Sequence, residues 1–279
     1  MARRFPALAA LLSAATALAA PALAAGPPQK IVSLNKCADQ LLLALVEPAR
    51  IASVSPIGSD ELSFYAEELK RLPANSGRGE SVLLTDADLV IAGSFGAYAR
   101  RDMLLRQGFD VMVLGPWRSL AEGRDQVRAL SRRLGVEARG EALVQEIDDA
   151  LVRARGAAPA PRTVLVLQRR GYTPGDTSIL DELLRHVGLV PYTERLGLRR
   201  GGTVSLERLV ADPPDYLLMA ESDRAAIDQG SALLWHPALR RAVPPERRLH
   251  LPDRLTICAG PATPVAIDAL AAEVRAKVR

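Results

Sequence analysis

Flat aromatic faces and paired guanidinium groups are the side chains here most suited to holding a ligand. Only 4% of the 279 residues are aromatic. Yet Phe95, Tyr98, Trp117 and Tyr172 follow short apolar runs that read as strands, and Trp235 lies further on from another. Such rings offer large planar apolar surface. The pairs Arg169-Arg170 and Arg199-Arg200 offer forked donors suited to carboxylates or an anionic complex. Asn35, Lys36, Ser55, Glu221, Ser222 and His236 occupy comparable positions. Ligands of parallel α/β sheets sit beyond the carboxyl ends of the strands, so these residues are the expected ligand contacts. For each aromatic taken alone, core packing is the competing account. For each arginine pair it is a solvated surface.

Other chemistries find less support. His186, His236 and His250 all lie in the second half of the chain, without the spacing of a tetrahedral metal site. His186 falls in the last turn of an expected helix, where it suits the helix dipole or packing. No GxSxG elbow occurs, and Gly93-Ser94-Phe95-Gly96 lacks the GxxxxGK[ST] pattern of a phosphate loop. Binding without catalysis, metal or cofactor is therefore expected. An enzyme, or a chaperone handling haem or metal, is the rival class.

The N-terminus fits an export signal, residues 1–24. Arg3 and Arg4 precede an apolar stretch over 7–20, and Ala22-Leu23-Ala24 supplies small residues for cleavage. No cysteine stands at the cleavage point, so a soluble chain in a periplasm is expected. Losing both arginines moves the formal net charge of +4 towards neutrality, so no nucleic-acid partner is expected. Cys37 and Cys258 are the only cysteines. In an oxidising compartment an even count favours a disulfide, with free thiols as the alternative.

The elements that must position these groups come in two similar series. Residues 30–34, 50–54, 88–92 and 110–114 read as strands, separated by helical segments at 39–45, 59–72, 80–84 and 98–107. After a linker at 156–161 the pattern resumes. Strands fall at 163–168, 215–220 and 248–251, and helices at 178–187, 204–210, 224–234, 238–242 and 264–278. Alternation of this kind signals parallel sheets covered by helices. Between the series, residues 119–155 place Leu120, Val127, Leu130, Leu134, Leu143, Val144, Ile147 and Leu151 on one helical face. Gly135 must kink this run or split it. The second part, 136–155, would then be a strut between lobes 25–135 and 156–279. An ordinary surface helix is the alternative. The two halves also echo each other: Glu80 precedes Asp88-Leu89-Val90 by eight residues, and Glu207 precedes Asp215-Tyr216-Leu217 by eight.

On these residues the chain resembles the periplasmic binding proteins for ferric siderophores, haem and cobalamin, which serve ABC importers. The motifs are Glu80 to Asp88-Leu89-Val90, Ser205-Leu206-Glu207 to Asp215, and 177–184 followed by Val187-Gly188. Ala87, where the family often has proline, and Val190-Pro191-Tyr192, in place of Gly-Asn, depart from the pattern. The resemblance implies two Rossmann-like α/β lobes with mostly parallel sheets, joined by a long backbone helix, with a metal chelate between them. It also implies that Glu80 and Glu207 pair with arginines of permease subunits in the inner membrane. Two carboxylates at fixed separation suit a two-point electrostatic contact; helix capping is the plain alternative. With the arginine pairs, an anionic ferric siderophore is the expected ligand, cobalamin and haem staying open. A monomer whose lobes rotate little is expected.

Overall fold

The computed structural model describes residues 26–94, 98–175, 178–220 and 228–279. The expected leader, Phe95, Glu221 and Ser222 lie outside the described residues.

Short apolar runs in the first half make β1 (Ile31–Ser33), β2 (Ile51–Ser53), β3 (Leu89–Gly93) and β4 (Val111–Leu114). They form one sheet in the order β2-β1-β3-β4, with every pair parallel. The second half repeats the plan. β5 (Thr163–Val166), β7 (Val190–Pro191), β9 (Tyr216–Ala220) and β10 (Arg248–Leu251) lie in the order β10-β9-β5-β7, again parallel. Pro191 is accommodated because β7 is an edge strand. A two-residue ribbon, β6 (Tyr172–Thr173) against β8 (Gly202–Thr203), is antiparallel.

Alternation along the strands assigns one face of each sheet to a shared core and the other to a separate one. Ile31, Leu89 and Ile91 of the first sheet, and Val164, Val166, Tyr216, Leu218, Leu249 and Leu251 of the second, belong to one continuous apolar cluster. Helices α1 (Lys36–Leu45), α5 (Leu120–Leu134), α6 (Glu137–Ala154), α7 (Ile179–His186) and α11 (Thr263–Lys277) close it. The outward face of the first sheet, Val32 and Val90, packs under α3 (Gly79–Leu83) and α4 (Tyr98–Arg106), through Val82 and Leu104. The outward face of the second, Leu165, Leu217 and Met219, packs under α8 (Thr193–Leu196), α9 (Leu206–Ala211) and α10 (Pro237–Ala242). One core thus runs through both lobes.

Residues 119–155 form two helices. Ser119 opens α5, its Oγ accepting from the Glu122 N–H at 3.1 Å. Gly135 closes it at φ 66°, a conformation that disfavours side chains, and a Cβ there would stand 2.8 Å from Pro27. The chain reverses into α6, which lies antiparallel on α5. Arg128 pairs with Glu141 at 2.8 Å, Arg124 pairs with Asp148, and Gly140 sits against Ser131. The 18 residues of α6 span about 27 Å at 1.5 Å per residue. Near its start, Arg139 binds the Leu45 carbonyl and Glu47. Near its end, Arg153 pairs with Asp268 at 2.7 Å, and a His186 ring nitrogen lies 2.6 Å from the Leu151 carbonyl.

Two expected helices are corrected. Over residues 59–72 only α2 (Ala66–Leu69) forms. The rest is turns, in which Asp60 accepts from the Leu62 N–H and binds the Lys36 ammonium. Of residues 224–234, those described from Asp228 onward are turns. Asp228 accepts from the Ser231 N–H at 2.9 Å and binds Arg169 at 2.5 Å. In both places an aspartate side chain satisfies backbone donors that a helix would have used.

Candidate binding cleft

Where the carboxyl ends of the two sheets face each other, a cleft of about 320 Å³ opens, the small end of the range for ligand sites. Gly93 ends β3 and Leu114 ends β4 in its wall, which Ser94, Gly115, Pro116 and Trp117 continue. Asn35 and Cys37 come from the start of α1, Gln126 from α5 and Ile179 from α7. Thr256, Ile257, Cys258 and Ala259 come from the segment between β10 and α11. A smaller recess of about 30 Å³ at the ends of β5, β9 and β10 shares Thr256 with it.

Asn35 is fixed by the helix it starts. Its Oδ1 accepts from the N–H groups of Cys37 and Ala38, both at 3.0 Å, capping α1. Its amide nitrogen lies over Gly93, 2.5 Å from where a Cβ would stand. Trp117 is fixed too. Its Nε1 donates to Gln126 Oε1 at 3.1 Å, and Gln126 Nε2 donates to the Gly115 carbonyl at 3.0 Å. Its ring lies so close to Gly123 that a Cβ there would fall 2.1 Å from Cε3. Only 7% of Trp117 is exposed, so the indole is a rigid plate in the wall. Ile257, 47% exposed, is an open aliphatic side chain of the cleft. The ionisable groups expected at the site are absent from the wall among the described residues. What the cleft offers is apolar surface with amide and hydroxyl groups.

Of the expected ligand contacts, Asn35 and Trp117 line this cleft. Lys36 and Ser55 stand behind it with internal partners. The Lys36 ammonium pairs with Asp60 at 2.5 Å. The Ser55 N–H and hydroxyl donate to buried Asp39, at 3.1 and 2.5 Å. Burial pushes the Asp39 carboxyl above its ordinary range, an effect opposed by the Ser33 and Ser55 donors and by Lys36. Tyr98 opens α4, and its side chain lies outside the described residues.

Arg169, Arg170 and Tyr172 follow β5 and are exposed. Arg170 adopts φ 58°, its N–H donating to the Gly230 carbonyl at 2.6 Å. Arg199 and Arg200, also exposed, pack by their backbone against Gly175. The two pairs therefore sit on adjoining loops of the second lobe. Trp235 and His236 lie elsewhere. Trp235 lines a recess at the amino end of β10 with Arg248 and Lys277, the Arg248 guanidinium 5.9 Å from its ring centre. His236 caps α10, its Nδ1 accepting from the Ala238 N–H at 3.2 Å.

The cysteines are joined. Cys37 and Cys258 form a disulfide with a Cα–Cα distance of 5.2 Å, linking α1 to the segment after β10. Glu80 and Glu207 are both exposed, each in the first turn of a short helix that leads into an inner strand of its sheet. The Glu207 carboxyl is held below the usual range by its own backbone N–H, then by the Ser205 hydroxyl, with nearby His236 adding to the effect. Among the described residues, no group of three or more His, Cys, Asp or Glu side chains is arranged to hold a metal ion. No helix among them is long and apolar enough to cross a membrane.

Gln126, Ile179, Thr256 and Ile257 were not foreseen from the sequence. A signal existed for two of them: Thr256 and Ile257 adjoin Cys258, whose expected bridge brings this segment to the start of α1.

A family model described as periplasmic binding protein matches residues 31–242. No curated protein matches the chain. Among solved structures, the fold is similar to the periplasmic heme-binding protein RhuT from Roseiflexus sp. RS-1 in apo form. The TM-score is 0.74 at 23% identity, over 90% of this chain and 99% of that one. The periplasmic heme-binding protein BhuT in complex with two hemes gives 0.72 at 22% identity, over 91% and 100%. The periplasmic vitamin B12 binding protein BtuF of Vibrio cholerae gives 0.69 at 21% identity, over 90% and 98%.

Proposed function

We propose, on the premise that the chain belongs to the periplasmic binding protein family, that it is the solute-binding subunit of an ABC importer. It takes up a metal chelate in the cleft between its lobes, within a periplasm, and hands it to a permease. The observation that carries this is the cleft itself. It is placed where two parallel sheets turn their carboxyl ends towards each other, and it is walled by a fixed indole, aliphatic side chains and neutral hydrogen-bonding groups. The family is one of solute-binding proteins, and the site offers surface for holding a molecule.

The arginine pairs support a ferric siderophore with negative groups at its periphery, its body in the cleft and its charges at the loops carrying Arg169, Arg170, Arg199 and Arg200. Tyr172, on the ribbon beside them, belongs to the same rim. The uncharged wall around Trp117 supports a second reading, a porphyrin or corrinoid chelate. The heme and vitamin B12 named for similar structures agree with that reading. Glu80 and Glu207 are assigned to the permease contact, one on each lobe.

Titration of the purified protein with ferric siderophores, haem and cobalamin, followed by tryptophan emission, tests the function. Saturable quenching by one of these classes is expected. Absence of binding to all three, or turnover of any of them, would overturn the proposal.

A further inference from the structure

The recess at the amino end of β10 lies apart from the cleft, at the opposite end of the second sheet. Its volume is about 290 Å³, and Trp235, Pro245, Arg248, His250 and Lys277 line it. One water takes up about 30 Å³, so the space exceeds what a single bridging water would fill. Arg248 is the residue in it that needs a reason. Only 2% of it is exposed, and a guanidinium buried so deeply ordinarily has a carboxylate beside it. Here Nε donates to the Val243 carbonyl at 2.9 Å and Nη1 to the Leu234 carbonyl at 2.7 Å. These bonds tie β10 to the chain on either side of α10. Nη2 is buried and has no acceptor among the described residues. The carboxylate of this neighbourhood, Glu273, is engaged by the Lys277 ammonium at 2.6 Å and the His250 N–H at 2.9 Å. Burial, and then the charge of Arg240, hold the Arg248 pKa below its ordinary range. A buried charge without a counter-ion is costly unless something supplies one.

Two more donors belong to the same recess. Trp235 Nε1 is also buried without an acceptor among the described residues, and its ring centre lies 5.9 Å from the Arg248 guanidinium carbon. Lys277 Nζ donates to the Arg248 carbonyl at 2.9 Å and to Glu273, which leaves one of its N–H groups to spare. The Trp235 indole has no hydrogen bond to hold it, so it can turn outward and uncover Nη2. The Trp117 indole, which Gln126 fixes, has no such freedom.

We propose that this recess binds a tetrahedral oxyanion, of phosphate or sulfate type, through Arg248, Lys277 and the Trp235 indole. A planar carboxylate is met best by a guanidinium fork of two parallel N–H groups. Each fork of Arg248 includes Nε or Nη1, and both already bind carbonyls. What remains is single donors from three elements: β10, the turns before α10 and the end of α11. Separate oxygens of a tetrahedral ion can each take one. The site does not depend on which chelate, if any, occupies the cleft.

The test follows the two indole N–H resonances of the isotope-labelled native protein, assigned with Trp235→Phe. Sodium phosphate, sodium sulfate and sodium acetate are titrated in turn to millimolar concentration, against sodium chloride of equal ionic strength. With phosphate and with sulfate the Trp235 signal should shift and saturate while the Trp117 signal stays in place. Acetate should bind several-fold more weakly. A Trp235 signal that does not saturate, or that moves equally with chloride, would overturn the proposal. Acetate bound as tightly as phosphate would overturn it too, because the recess would then select charge and not shape.

Variants then locate the ion, with calorimetry giving phosphate affinity and circular dichroism the fold. Arg248→Lys keeps the charge and loses the spare nitrogen, and should weaken phosphate at least about tenfold. Lys277→Gln and Trp235→Phe should each weaken it several-fold. Should Arg248→Lys fail to fold, because two backbone carbonyls lose their donors, the other two variants decide. Phosphate affinity equal to the parent's in the folded variants would place the ion elsewhere and overturn the assignment.

Discussion

Replacing Gly123 by alanine sets two well-characterised effects against each other. In the interior of α5, alanine should gain about 1 kcal/mol in helix propensity over glycine. The new methyl, however, would stand 2.1, 2.3 and 2.6 Å from three atoms of the Trp117 indole, well inside contact distance. The ring must move. Overpacking of this kind costs about 1–3 kcal/mol, and separating Nε1 from Gln126 leaves a buried donor unpaired for about 1–3 kcal/mol more. The net expectation is a loss of about 1–5 kcal/mol, or roughly 2–4 °C of Tm for each kcal/mol in a chain of this size. In a Trp235→Phe background, thermal denaturation gives the stability, and emission reports Trp117 alone, shifting to the red as the indole is pushed towards the cleft. Chelate affinity should fall with it. A variant as stable as the parent or more so, with unchanged emission, would refute the claim that Gly123 seats this wall of the site.

Reversing Glu80 or Glu207 to lysine should impair chelate uptake by cells while leaving affinity of the purified protein unchanged; normal uptake by the double variant would contradict the docking role. Tyr192 is buried with its hydroxyl donating to the Asp212 carbonyl at 2.7 Å, and its pKa is pushed up to about 12, chiefly by burial. The folded pKa is raised, so this stabilisation is intact below pH about 10 and is lost as pH rises towards 12. Burial also raises the pKa of the Tyr65 hydroxyl, but absorbance titration should show a tyrosine ionising near pH 12 that is missing in Tyr192→Phe. That variant should lose about 1 kcal/mol at neutral pH; an unchanged titration curve would count against the assignment.

What the sequence made legible was mostly local. Runs such as residues 89–92 and 164–167 are buried on both faces, so near-continuous apolar stretches mark them as inner parallel strands. Gly135 marked the reversal between α5 and α6 because a left-handed position between two amphipathic stretches favours glycine. The spacing from Glu80 to Asp88 and from Glu207 to Asp215 corresponds to real elements in both lobes. Asp215 accepts from the N–H and the hydroxyl of Thr163 at 2.8 Å, tying β9 to β5. Asp88 accepts from the N–H groups of Gln29 and Lys30, both at 2.8 Å, just before β1. The same motif thus joins neighbouring strands in each sheet.

Less legible were contacts made only by tertiary packing. Gln126 follows Arg124 and Asp125 in a charged stretch of α5, and nothing local points it at Trp117. Trp235 was expected near the cleft, beyond strand 215–220, yet the turns after Asp228 carry it to the amino end of β10. Lys36 and Ser55 stood at strand ends as expected, but nearby carboxylates engage them. Position along a strand is read from periodicity, whereas the partner of a polar side chain depends on which loops fold back over the sheet.

The central claim is that a chelate occupies the cleft between the lobes, and Ile257 gives direct access to it. This side chain is 47% exposed in the cleft wall, so a carboxylate placed there disturbs little of the core. Equilibrium binding of the chelate identified by titration should be measured on the native protein and on Ile257→Glu, with circular dichroism confirming that both are folded. The account predicts at least a tenfold loss of affinity, about 1.4 kcal/mol, from a charge set against an apolar ligand face. Equal affinity in the two proteins would place the ligand elsewhere and contradict the account.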